Sequence, residues 1–140
     1  MKFIKFSIIC CLVLSLFSCA PDSTGPASYV GVNYPEITQA LAIEIADLIQ
    51  QEMNIPTTVI NLAKDDENIL SDKVLTILKN RGYAISQTEG TVTTFTIDEL
   101  SANKIYLTIT LDKIRLSRIY TYEAQTGKIL PGSPLNKGEV

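Results

Sequence analysis

From Lys104 to Leu111 apolar and polar residues alternate without a break, with Ile105, Leu107, Ile109 and Leu111 on one side and Lys104, Tyr106, Thr108 and Thr110 on the other. Successive side chains of a β-strand point to opposite faces, so this octet buries one face as a strand and leaves the other toward water. With Asp112-Lys113 as a two-residue turn, Leu111 opposes Ile114 and Ile109 opposes Leu116. The two apolar faces then coincide, and a one-residue slip would turn one of them out of the core. The second strand of this hairpin runs to about Tyr122. Arg118 shares parity with Ile114, Leu116, Tyr120 and Tyr122 on the core side. An arginine is rarely buried unpaired, so either it sits at the sheet end and snorkels, or a carboxylate or carbonyls of this chain or another hold its guanidinium.

Upstream the period changes. From Pro35, Ile37, Leu41, Ile45 and Leu48 recur on one helical face, with Glu36, Asp47, Gln50 and Gln51 largely elsewhere. Pro35 suits a first helical position, and Pro56 stops the helix by pushing Ile55 toward an extended conformation. Thr57 to Leu62 reads as a short buried strand. A second helix is marked by Asp65, Asp66 and Glu67 at its start and by Lys79 and Arg81 before Gly82 at its end, with Leu70, Val74, Ile77 and Leu78 as its apolar stripe. Strands at Tyr83–Ile85 and Thr91–Ile97 follow, separated by a turn at Glu89-Gly90.

The order helix, strand, helix and then four strands predicts an α+β fold, in which two helices pack on one face of a mostly antiparallel sheet of about five strands. The first strand is expected beside the Tyr83 strand through the second helix, a parallel connection that is normally right-handed. This domain spans residues 34–125. Residues 126–140, with Gly127, Pro131, Gly132 and Pro134, read as an extended tail.

The N-terminus has a different plan. Lys2 and Lys5 precede an apolar run from Ile8 to Phe17, which is the layout of an export signal and shorter than the roughly twenty residues of a membrane-spanning helix. Leu16-Phe17-Ser18-Cys19 resembles the bacterial lipobox, which implies cleavage after residue 18 and acylation of Cys19. Each buried methylene of an acyl chain contributes about 0.8 kcal/mol, and two or more chains hold a protein durably at a membrane. By resemblance to lipoprotein sorting, Ala20 in the next position implies transfer to the outer membrane. Residues 20–33, rich in Pro, Gly and Ser, read as a tether of at most about 50 Å. Tyr29, Val30 and Val32 are apolar for a free linker and are candidate contact residues for a partner.

Composition narrows the chemistry. Of three cysteines, Cys10 and Cys11 leave with the signal, so no internal disulfide is expected. The chain has no histidine, which removes the commonest general base and metal ligand. A formal net charge of −3, more negative once Lys2 and Lys5 are lost, gives no footprint for direct nucleic-acid binding. Ser101 and Lys104 match the bare S-x-x-K spacing of serine acylases, but they fall between strands and lack the accompanying S-D-N element. Asp65, Asp66 and Glu67 complement a helix dipole without any ligand. The sequence therefore predicts no catalytic residue, no metal and no cofactor.

Leu116-Ser117-Arg118-Ile119-Tyr120, together with Arg81-Gly82-Tyr83-Ala84-Ile85, resembles the conjugal transfer protein TrbH family. The likeness also takes in the lipobox, Ser28-Tyr29 and Gly31 of the tether, and the Tyr34-Pro35 helix start. The C-terminal Leu130-Pro131-Gly132-Ser133-Pro134 departs from the Trp-containing Pro-Ala-Gly ending of that family, and the Ala/Pro insert after the Gly-Tyr strand is absent. The resemblance implies a non-catalytic lipoprotein of a conjugative type IV secretion apparatus, working with other subunits of a hetero-oligomeric assembly at the periplasmic face of the outer membrane. A different class stays open, a stand-alone periplasmic lipoprotein that binds a small ligand or inhibits an enzyme.

Overall fold

The computed structural model describes residues 29–30, 34–62 and 68–140. Two helices and eight strands follow in the order β1 (Tyr29–Val30), α1 (Thr38–Glu52), β2 (Val59–Asn61), α2 (Ile69–Asn80), β3 (Ala84–Ser86), β4 (Thr91–Ser101), β5 (Lys104–Leu111), β6 (Ile114–Glu123), β7 (Lys128–Pro131) and β8 (Asn136–Glu139). The class is α+β. The sheet runs β3-β2-β4-β5-β6-β7, with β1 also on β4 and β8 also on β6.

The β4-β5-β6 meander carries the sheet, and its apolar parity decides which face is covered. Phe95, Ile97, Ile105, Leu107, Ile109, Leu111, Leu116 and Tyr120 are buried against Leu41, Ile45 and Ile49 of α1 and Val74 and Leu78 of α2. Burying such side chains contributes about 1.5–3 kcal/mol each. The β5-β6 register pairs Leu111 with Ile114 and Ile109 with Leu116, as the alternation requires. Asp112, at φ 51, makes the turn. It is clamped to β4 by its own N–H donating to Val92 O and by its Oδ1 accepting from Val92 N, both at 2.8 Å.

α1 begins three residues after Pro35, because Tyr34 O accepts from both Ile37 N and Thr38 Oγ1 and closes a separate turn first. It ends at Glu52, where Met53 is already extended. Ile55 lies in a 3₁₀ turn, Ile55–Thr57, rather than in the extended conformation expected before Pro56, and Thr57 belongs to that turn rather than to the strand. Asn68 caps α2, its Oδ1 accepting from Leu70 N and Ser71 N; Asp65, Asp66 and Glu67 lie outside the described residues. At the other end Gly82 has φ 98, Tyr83 N donates to Leu78 O and Gly82 N to Lys79 O. These are the two bonds of a Schellman cap.

β2 pairs parallel with β3, as the crossover through α2 requires, and it pairs parallel with β4 on its other side. Residues 87–90 therefore carry the chain from one flank of β2 to the other. Ser86 Oγ accepts from Thr88 N and Glu89 N to start the turn. Gly90, at φ 101, passes so close to Val59 that a Cβ there would overlap the Val59 carbonyl.

Two further sequence expectations, on β4 and on the C-terminus, need correction. β4 continues past Ile97 to Ser101, because its backbone keeps pairing with β5 after the apolar alternation ends, with a bulge between Glu99 and Ser101. Residues 126–140 are not an extended tail: β7 pairs with Tyr120–Glu123 and β8 with Ile114–Ser117. The outer edge of β6 would otherwise hold a row of unpaired N–H and C=O groups. Between the two short strands Ser133 Oγ accepts from Ile119 N at 3.0 Å and Gly132 N donates to Ile119 O at 2.7 Å, which completes the edge. Ile129 and Leu135 pack against the core from this segment.

Candidate functional site

Arg118 is the residue whose placement needed explaining. β6 turns it to the helix-covered face, opposite Leu107, and α1 carries Glu44 above it. Its Nη1 lies 3.7 Å from Glu44 Oε1, and the same oxygen accepts from Tyr120 Oη at 2.5 Å. The guanidinium carbon stands 5.9 Å from the centre of the Tyr120 ring. One carboxylate thus gathers an arginine and a tyrosine that are two residues apart on the same strand face. Of the options open at the sequence level, the carboxylate of this chain is the one realised. Arg118 Nε is buried without a hydrogen-bond partner among the described residues, while the side chain as a whole keeps 21% of its surface exposed. Burial raises the Tyr120 phenol above the ordinary tyrosine range, and its donation to Glu44 raises it further. As a pair, Arg118 and Glu44 are partly solvated, which keeps their contribution modest.

Beside this group Tyr34 packs edge-on against Tyr122, with ring centres 5.3 Å apart. Burial first, and the Glu99 carboxylate second, push the Tyr34 phenol up to about 12. Polar ties also join the helices to each other and to the sheet: Arg81 bridges to Asp47 and Gln50, Lys73 to Gln39, and Lys137 of β8 to Glu52. The sequence reading missed Glu44 as the partner of Arg118. The signal was a carboxylate set beside the apolar positions Leu41, Ile45 and Leu48, on a helix that packs on the same sheet.

Of the other candidate contact residues, Tyr29 and Val30 form β1, which pairs parallel with β4, Tyr29 opposite Thr96 and Val30 opposite Ile97. The end of the expected tether is therefore part of the sheet. Val32 and Cys19 lie outside the described residues. The register places Val30, Ile97, Leu107 and Arg118 in one transverse row. Three strand spacings separate the ends of that row, about 14 Å. The structure thus sets Val30 and Arg118 at one level of the sheet without bringing them into contact.

Ser101 and Lys104 pair across the β4-β5 turn and are both exposed. Among the described residues no three His, Cys, Asp or Glu side chains are placed to hold a metal ion. No helix of the described residues is long and apolar enough to cross a membrane. The depression lined by Met53, Val92, Leu111 and Ile114 is an open surface trough.

The family model of conjugal transfer protein TrbH matches residues 24–139. The chain belongs to the TrbH family. That match begins in the segment before β1 and takes in both helices and all the strands, so the paired strands β7 and β8 lie within the TrbH region. No curated protein and no solved structure matches the chain. Membership makes it a conjugal transfer protein.

Proposed function

We propose that this TrbH-family chain is a non-catalytic lipoprotein subunit of a conjugative type IV secretion apparatus, held by lipid on Cys19 at the periplasmic face of the outer membrane, where it serves assembly with other subunits. The TrbH match over residues 24–139 carries the reading. It is supported by an N-terminus that resembles an export signal ending in a lipobox and by a domain in which Arg81, Arg118 and Lys137 are paired with carboxylates of α1. Its contact residues are Tyr29, Val30 and Val32 at the N-terminal approach to the domain, and Arg118 through the part of its side chain that reaches solvent.

Metabolic labelling with a fatty acid tests the anchor. The wild-type protein takes up label and fractionates with outer membranes, whereas Cys19→Ser does neither and DNA transfer falls at matched protein levels. Equal labelling of the two proteins would remove the lipoprotein reading. Loss of label with normal transfer would remove the anchor from the function.

A further inference from the structure

β8 lies on the outside of β6, and all four of its residues are exposed. Just beyond it Val140 N donates to Lys113 O at 2.9 Å. Opposite residues of an antiparallel ladder alternate between pairs that exchange hydrogen bonds and pairs that do not. With Val140 bonded to Lys113, the bonded pairs continue as Gly138 with Arg115 and Asn136 with Ser117, given the register of β8 on β6. The N–H and C=O groups of Lys137 and Glu139 therefore point away from the sheet. These outward-facing positions carry opposite charges, and Gly138 lies between them.

We propose that β8 is a self-complementary edge through which two copies of this chain join, antiparallel, about a two-fold axis at Gly138. In that register Lys137 faces the partner's Glu139, Glu139 faces the partner's Lys137, and the outward backbone groups of both residues are satisfied reciprocally. Opposite charges directly across an antiparallel pair are favourable and like charges are not. A lysine usually blunts a sheet edge, but here Lys137 Nζ is drawn 2.6 Å from Glu52 Oε2 on the helix side, so its charge is shared between Glu52 and the partner's Glu139. The other edges fit less well: β7 ends on Pro131, and β3 has three residues. At the axis a Cβ on Gly138 would meet nothing within 4 Å, so the sheet face has room there for a test side chain. The result is a continuous sheet with both helix layers on one side.

Gly138 opposes the partner's Gly138 as a non-bonded pair with Cα atoms about 4.5 Å apart, within disulfide reach. The full chain carrying Gly138→Cys, oxidised in membranes, should give a disulfide-linked dimer of twice the monomer mass. Asn136→Cys is the control, because its Cα would lie about 14 Å from its counterpart along the paired strands and should cross-link at least about ten-fold less. Glu139→Lys added to Gly138→Cys sets like charges across the axis and should lower the yield about five-fold, and a further Lys137→Glu should restore it. A zero-length carbodiimide cross-link in the unaltered chain, read only as a band of dimer mass because Lys137 also has Glu52 of its own chain within reach, reports the Lys137 to Glu139 pair without any substitution that affects folding. No dimer by either chemistry, equal yields at positions 136 and 138, a cross-linked band of another mass, or indifference to charge reversal would each overturn the proposal.

Discussion

Gly90 and Tyr34 show how single residues answer for the path of the chain and for its behaviour with pH. The crossing over β2 leaves no room for a side chain at Gly90, whose φ of 101 is also unfavourable for any L-residue. Gly90→Ala should cost about 2–3 kcal/mol in chemical denaturation, whereas a change at exposed Gly138 should cost little; equal effects would show that the crossing is not tight. Tyr34 titrates near 12 in the folded chain, above its unfolded value near 10. A raised pKa means the native state keeps the proton longer, so its contribution is fully present below about pH 10 and is lost as pH rises from there toward 12. Tyr34→Phe, which removes a buried hydroxyl without a described partner, should leave stability at pH 7 within about 0.5 kcal/mol and flatten the decline above pH 10. A mutant melting profile parallel to the wild type through that window would dismiss the assignment. Arg118 was legible as an anomaly of parity in the sequence, but its partner was not, because the pairing depends on how α1 is set over β6.

At the level of the element, legibility followed period. The bounds of β5 and the register of its hairpin with β6 were legible in the sequence, because strict alternation and a two-residue turn leave one register that buries both faces. β7 and β8 were not, because Pro131, Gly132 and Pro134 punctuate short strands whose reason to pair is the open backbone of β6 rather than any pattern of their own. The same holds for Asp98–Ser101 of β4, which pair through backbone after the apolar residues run out. The helix ends shifted by a few residues where local hydrogen bonds, at Tyr34 O and at Asn68 Oδ1, competed with the signals from Pro35 and the acidic run. The two faces of β5 give the sharpest check. Leu107→Asp puts a carboxylate into the buried face and should cost several kcal/mol or abolish cooperative melting. Thr108→Asp, one residue away on the open face, should cost under about 1 kcal/mol. Equal losses would contradict the register.

For the whole molecule, the TrbH family supplies the setting in conjugal transfer, and the proposed contact residues supply a way to test the mode of action. Replacing Tyr29, Val30 and Val32 together by serine, and Arg118 separately by alanine, should each lower DNA transfer and co-purification of secretion subunits at matched protein levels. Arg118→Ala should also cost about 1 kcal/mol, because it leaves Glu44 with Tyr120 alone; normal transfer in both variants would leave only the anchor and the fold at work. The proposed assembly and membrane face have no counterpart in periodicity, since both concern what the domain would meet outside itself. The pairing of β1 with β4 bears directly on that outside world. With Tyr29 paired to the sheet, the proposed acyl anchor on Cys19 would lie ten residues away, a reach of at most about 35 Å rather than the 50 Å of a fourteen-residue linker. Under that proposal the domain would sweep only a shallow layer above the membrane, and its partners would have to reach down into that layer to be met.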